Sequence, residues 1–517
     1  MRETTRAEHK LASARTYGVP LIICRTPDQQ DFARRVGALL AEDKTPSPVI
    51  GWDCIRGFSA INQAGTAVAG AAPANCTNLT EALEAAAKLP QRTCLLVYNG
   101  HFGVDETNVQ RFSVIQALSN LRDLYTRDTR TAVILCPDLT VPAELTHDVY
   151  TIDDPLPTED ECEGIMRRLI GAHAKRKQRE AVIDEENLRH AVDAVAGLAA
   201  FTVEQAAAMS FKFSTDLGRY DIDVAQLWER KRSFVAGTAG LSIYRGKETF
   251  ADVGGYENLK TFLGRLNKSK RAPRAYVFLD EIEKQVAGAT GAVQDSSGTA
   301  QEQLALVLSH MQDTRATGLL LIGPGGTGKS LVCKAAGNEA AVPTIVLDLS
   351  ATKASLVGES GARMRLALKV IDSVARGHAV WVATCNRIGS LPPELRRRFK
   401  AGTYFMDLPT KAERETIWRY YLDRHGIPAQ PRPDDEGWTG AEIEECCAKA
   451  DQLGMSLTEA ALYICPVAKA AEAEIRQLRA EAHERFLSAS YPGFYKMAAA
   501  ETALSTARLI EDASEED

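Results

Sequence analysis

Short apolar runs alternate with longer stretches of helical spacing along most of this chain. Up to about residue 155 the runs are VPLIIC (19–24), PVIGW (48–52), TCLLVY (93–98), TAVILC (131–136) and VYTI (149–152). Unbroken apolar runs are expected of strands buried on both faces, and helical stretches between them imply crossover connections, so the pattern predicts a mostly parallel α/β layer. From Thr158 to about Ala236 such runs stop, and Ala, Leu, Glu, Arg and Lys recur at helical spacing, which predicts a helical bundle or lid. A short Gly-rich stretch, GTAGLSIYRG (237–246), then places a boundary near residue 240. The α/β rhythm returns through YVFLD (276–280), GLLLIG (318–323), TIVLDL (344–349) and AVWVATC (379–385). After Pro409 the chain reads as helical to its end, closing on the acidic tail EDASEED. Four segments are expected: an α/β domain over 1–157, a helical subdomain over 158–240, a second α/β core over 241–410, and helices over 411–517.

Composition narrows the functional classes. At 517 residues, 45% hydrophobic and 25% charged, the chain is ordinary globular material with room for several cores. Sixty-one Lys and Arg against 68 Asp and Glu give a net charge of −7, so no overall basic field draws it to nucleic acid or an acidic membrane. The eleven cysteines are odd in number, lack a CxxC pair and sit partly inside apolar runs (Cys24, Cys94, Cys136), as expected of reduced thiols in a cytosolic core. The first thirty residues lack an apolar signal region, and no stretch of about eighteen apolar residues occurs. The expectation is a soluble cytoplasmic protein with no membrane contact.

The strongest local signal is GLLLIGPGGTGKSLVCKAAGNEA, an apolar strand, then G-x-x-x-x-G-K-S, then a helical run. In such a P-loop, Gly323, Pro324, Gly325, Gly326, Thr327 and Gly328 curl backbone N–H groups around phosphates that also meet the positive end of the next helix. Lys329 reaches those phosphates and Ser330 ligates Mg²⁺, so ATP and Mg²⁺ are the expected ligands. The plainer alternative is a Gly-rich turn. A P-loop also needs a strand-end carboxylate for the magnesium shell and a base for the attacking water, and AYVFLDEIEK supplies Asp280 and Glu281 in those roles. An acidic pair at a solvated helix start would look the same. VWVATCN ends in Asn386, whose amide can contact the γ-phosphate or the lytic water, or can merely cap a turn. Ten residues on, LPPELRRRF carries Arg396, Arg397 and Arg398 just past the sheet, where arginine suits charge stabilisation at a neighbour's γ-phosphate. A solvated basic face is the competing account.

Together these segments resemble a family. DVGGYENLK (252–260), GPGGTGKS, LVGESGARMR (356–365), VATCNRIGSLPPELRRRF and GWTGAEIEECCAKA (437–450) are similar to the successive motifs of AAA ATPases. The resemblance is strongest to the AAA proteins first named as hypothetical plastid and cyanobacterial reading frames, in which a degenerate AAA-like half precedes an active one. Here WDCIRGF (52–58), LLVYNGHFG (95–103), TAVILCPDLTVPAEL (131–145), DDPLP (153–157) and GLAAFTVEQA (197–206) look like that half, with Asn99 and His101 where a carboxylate would be needed. It should not hydrolyse ATP.

The resemblance implies a three-layer αβα P-loop NTPase core with a helical lid. It implies that Asp252, Val253 and Gly254 border the adenine pocket, that Gly440 and Ala441 open the lid helix over the nucleotide, and that Leu356, Val357 and Gly358 face a central pore. Of the three arginines, Arg397 and Arg398 are the preferred finger. A ring of six identical subunits acting on an unknown protein partner follows from the family's logic. Segment order departs from it, because the Asp280–Glu281 strand precedes the P-loop instead of following it; we read this as a permutation inside the core. If those acids were incidental, Asp348 would be the remaining strand-end acid after the P-loop, and the chain would bind nucleotide without turnover. A nucleotide-gated scaffold or assembly factor is thus the alternative to a motor, and a nucleic-acid translocase is disfavoured by the acidic balance.

Overall fold

The computed structural model describes residues 6–497 apart from 44, 140, 286–298, 353–358 and 392. The expected pore residues Leu356, Val357 and Gly358 lie outside the described residues. The chain divides into two compact units, Met1–Leu227 and Trp228–Asp517. The division falls inside the helix Val224–Ala236, whose Val235 packs into the second unit's core.

The main sheet of the first unit is built from β1 (Leu21–Arg25), β2 (Val49–Asp53), β3 (Gly57–Ala60), β4 (Cys94–Val97), β5 (Thr131–Cys136) and β6 (Tyr150–Asp153), in the order β3-β2-β4-β5-β1-β6. Every pairing is parallel except that of β2 with β3. Alternate residues of the apolar runs serve opposite faces. Leu21 and Ile23 pack with Leu95, Val97, Ala132 and Ile134 on one side. Ile22 and Cys24 pack with Cys94, Leu96, Val133 and Leu135 on the other, against Phe32 and Val36 of the helix Gln29–Ala41. The two-sided burial explains why these strands read as continuous apolar runs.

The 158–240 segment is not wholly helical. A hairpin of β7 (Phe211–Ser214) and β8 (Arg219–Ile222) interrupts it. Its turn closes through Gly218, in the left-handed region at φ +61°, and buried Tyr220 anchors it with a 3.0 Å contact between its hydroxyl and His173 Nδ1.

The second unit is built on β9 (Leu241–Ile243), β10 (Ala275–Leu279), β11 (Thr317–Ile322), β12 (Thr344–Leu347), β13 (Ala379–Cys385), β14 (Gly402–Phe405) and β15 (Leu487–Ser488). Their order is β15-β14-β11-β13-β10-β12-β9, parallel throughout except where β9 meets β12. Three of these strands, β9, β14 and β15, differ from the sequence reading. The Gly-rich stretch near residue 240 contains β9, and the C-terminal segment, expected to be all helical, returns β15 to the sheet edge beside β14. All three are too short to show a period, and they pair with strands about 80 to 105 residues away in the chain.

β11 and β10 lie on either side of β13 and run parallel to it, so the carboxyl ends of all three fall on one edge of the sheet. The sheet is covered on both faces. Val277, Leu279, Leu320, Ile322 and Trp381 face one core, and Tyr276, Phe278, Leu319, Leu321 and Val382 face the other. Among the described residues no helix is long and apolar enough to cross a membrane.

Because β10 is an interior strand, its side chains should be costly to truncate. Phe278 is 1% exposed, and Phe278→Ala should destabilise the second unit by about 3–5 kcal/mol. A lowered urea midpoint for that unit's transition is expected; an unchanged midpoint would place β10 outside the core.

Candidate nucleotide site

The P-loop joins β11 to the helix Lys329–Glu339. Two of its glycines are fixed by geometry. A Cβ on Gly323 would lie 2.1 Å from the Met406 carbonyl, and Gly328 sits at φ +85° immediately before the helix. Lys329 is buried and folds back to donate from Nζ to the carbonyls of Gly323 (2.8 Å) and Pro324 (2.6 Å). Thr327 Oγ1 also donates to the Pro324 carbonyl, at 2.9 Å. The loop is thereby held around its own ammonium group.

The strand ends meet at one carboxylate. Ser330 Oγ donates to Asp280 Oδ1 at 2.8 Å, and Thr384 Oγ1 donates to the same oxygen at 2.7 Å. Thr384 in turn accepts from the Glu281 backbone N–H at 2.8 Å. Glu281 is non-glycine backbone at φ +44°, in the left-handed region that seldom holds such residues. Its Oε1 accepts from Asn386 Nδ2 at 3.2 Å, and its Oε2 pairs with Lys284 at 2.7 Å. Behind them Glu283, 9% exposed, accepts from the Asn386 backbone N–H at 2.9 Å and fixes the end of β13. Ser330 and Asp280 present adjacent hard oxygens at the start of a helix, a donor set that fits Mg²⁺ accompanied by phosphate oxygens.

A cleft of about 400 Å³ opens from these residues toward the C-terminal helices. It takes in Asp252, Val253, Gly254, Asp280, Glu281, the loop from Gly325 to Gly328, Lys329, Ser330, Asn386, Gly440 and Ala441. The Asp252 carboxylate is engaged locally, accepting from Thr249 N and Oγ1, and that bonding holds its pKa below the ordinary value. The helix Gly440–Leu453 docks on the loop through Ala441 N, which donates to the Gly326 carbonyl at 3.2 Å. Arg396 and Arg397 are exposed, Arg398 donates to Gln312 Oε1 at 2.7 Å, and none of the three lines the cleft.

Several lining residues escaped the sequence reading. Ile417, Tyr420, Tyr421 and Arg424 of the helix Lys411–His425 border the cleft, as do Thr384, Glu248 and Glu444. The first four occupy i, i+3, i+4 and i+7, one helical face, so a signal was present in IWRYYLDR. It carries no chemistry of its own and reads as ordinary core packing.

Comparison with known proteins adds the following. Residues 8–153 match a model of the SpoVK-like AAA ATPase N-terminal domain, and residues 319–379 match that of the ATPase family associated with various cellular activities (AAA). The AAA domain-containing protein ycf46 of Guillardia theta is 24% identical over 479 residues, covering 83% of this chain and 84% of its own. That of Gracilaria tenuistipitata var. liui is 24% identical over 390 residues, covering 66% and 71%. Among solved structures, the FIGL-1 AAA domain aligns with 49% of this chain and 94% of its own at 17% identity and a TM-score of 0.30.

Burial lowers the Lys329 pKa from 10.5 to about 8, against the opposing pull of Glu283, Asp280 and Glu281. An unfolded chain keeps this proton to higher pH than the folded one does. The cost of burying the charged lysine is therefore fully present below pH 8 and is relieved as pH rises from 8 to 10.5. In nucleotide-free protein, the unfolding free energy of the parent relative to Lys329→Met should rise across that window. A flat difference in denaturant titrations would show that Lys329 is not desolvated.

Proposed function

We propose that this chain, which carries AAA ATPase domains and is homologous to the plastid ycf46 AAA proteins, hydrolyses ATP in its second unit with a reordered set of core strands. The observation that carries this reading is the double hydrogen bond from Ser330 and Thr384 to Asp280 Oδ1. It ties the helix after the P-loop, the end of β13 and the end of β10 into one site, although β10 precedes the 319–379 stretch that the AAA model matches.

The assigned roles follow from position. Lys329, now spending its protons on loop carbonyls, would exchange them for phosphate oxygens, and the N–H groups from Gly325 to Ser330 would supply the remaining donors. Ser330 and Asp280 would hold Mg²⁺, which supplies charge neutralisation across the phosphates when bound. Glu281, with one oxygen on Asn386 and the other on Lys284, is the base that orients and deprotonates water, and Asn386 fixes its carboxylate in the plane that faces the cleft. Asp252, Val253 and Gly254, with Ile417, Tyr420 and Arg424 opposite, would enclose the base.

The exposure of Arg397, with Arg398 beside it and neither in the cleft of its own chain, supports a role at a neighbouring subunit's nucleotide. That arrangement requires a ring, and six subunits is the usual AAA assembly. The coupled work would be remodelling of a protein partner. A cytoplasmic location accords with the buried, unbridged thiols Cys24, Cys94 and Cys136.

Glu281→Gln should abolish steady-state ATP hydrolysis, a loss of at least about a hundredfold, while ATP binding persists. A parent protein that binds ATP and never turns it over, even at concentrations where it self-associates, would transfer the assignment to a nucleotide-gated scaffold.

A further inference from the structure

The first unit repeats the strand arrangement of the second around the same position, with different contents. Its central order β6-β1-β5-β4-β2 parallels β14-β11-β13-β10-β12, with β1 where the P-loop strand lies and β4 where β10 lies. Between β1 and the helix Gln29–Ala41 there are only Thr26, Pro27 and Asp28, half the length of Gly323–Gly328. The backbone is too short to encircle a phosphate.

Asp28 occupies the place instead. Its Oδ1 accepts from Asp31 N at 3.0 Å, in the first turn of the helix Gln29–Ala41. Its Oδ2 accepts from Phe201 N at 3.0 Å, in the first turn of the helix Ala200–Ser210. One carboxylate thus bridges the positive ends of two helices. In GLAAFTVEQA, Phe201 holds the position that Ala441 holds in GWTGAEIEEC, and Ala441 N is the donor that docks the lid helix on the P-loop of the second unit.

The second contact is replaced as well. Gln29, the first helical residue, donates from Nε2 to Asn99 Oδ1 at 2.8 Å, and Asn99 N donates back to Gln29 Oε1 at 2.9 Å. Asn99 follows β4 as Glu281 follows β10, and it shares the left-handed backbone, at φ +52° against +44°. By position Gln29 corresponds to Lys329 and Asn99 to Glu281, so an uncharged amide pair stands where the second unit carries a lysine and a carboxylate. Around this core Thr26 accepts from Asp28 N and donates to Asp154, whose two oxygens take Arg35 at 2.9 and 2.8 Å.

We propose that the first unit is self-liganded: the Asp28 carboxylate stands in for a nucleotide phosphate and the Gln29–Asn99 pair replaces the phosphate-reaching lysine and the carboxylate base, so the helix Ala200–Ser210 stays docked without nucleotide. The unit is a fixed counterpart of the second unit, its adjoining cavity of about 500 Å³ lined by Asp28, Asp31 and Asp154 as well as arginines, and the chain takes one nucleotide, not two.

Hydrogen exchange on the full-length chain tests this directly, read at residues 26–33, 97–104 and 198–206. Asp28→Ala should speed exchange on the order of tenfold in both helix starts, since each loses its acceptor. Asp28→Asn keeps one acceptor oxygen and turns an N–H₂ toward the other helix, so protection should be lost at only one of the two starts. Neither Mg·ATP nor inorganic phosphate should alter exchange of the parent at these residues. Unchanged exchange in both variants, or protection of 26–33 and 198–206 on adding ATP or phosphate, would overturn the proposal.

Discussion

The second unit depends on a single carboxylate oxygen that receives two hydroxyl protons. Asp280 Oδ1 is shared by Ser330 and Thr384, and a carboxylate at a closed strand end is stable there only while such donors surround it. Meeting that condition requires β10 beside β13 and β13 beside β11, with all three carboxyl ends on one edge. It leaves open the order in which the chain visits these strands. A connection that enters β10 first is compatible with the same edge, because parallel neighbours are joined by crossovers whose helices lie outside the sheet. The interior burial of Phe278, Leu279 and Trp381 maintains the alignment from behind.

How much of this could be read from the chain depended on whether local or distant contacts set each feature. The long apolar strands were legible because burial on both faces imposes an unbroken apolar run, and the P-loop because Gly323 and Gly328 answer to steric and backbone demands within a few residues. Asp280, Glu281 and Asn386 were legible as strand-end polar groups. Their convergence was not, since pairing partners are set by tertiary structure. β3, β9, β14, β15 and the β7–β8 hairpin were missed because strands of two to four residues carry little period. The face formed by Ile417, Tyr420, Tyr421 and Arg424 was written in the spacing, yet nothing in those residue types distinguishes a base-binding wall from a lid core.

Comparison of the two units separates scaffold from chemistry. Both present a β-strand, a turn and a helix N-terminus beneath a second helix. In one, a six-residue glycine loop is closed around the Lys329 ammonium group, which the proposed function turns toward phosphate. In the other, a three-residue turn ends in Asp28, which satisfies the helix ends from within. A common strand order thus supports opposite behaviour, decided by loop length and a few side chains. The Asp154–Arg35 pair adds a charge network that lines the cavity beside Asp28.

The central claim is that Ser330 and Asp280, far apart in the ordinary logic of segment order, serve one magnesium-bound nucleotide. A double-mutant cycle tests it most directly, with Ser330→Ala, Asp280→Asn and their combination read on the Mg²⁺ dependence of ATP affinity. The account predicts non-additive losses, with a coupling on the order of 1 kcal/mol or more between the two positions. Losses that add, or an Asp280→Asn variant that binds Mg·ATP as the parent does, would contradict it and return β10 to a purely structural role.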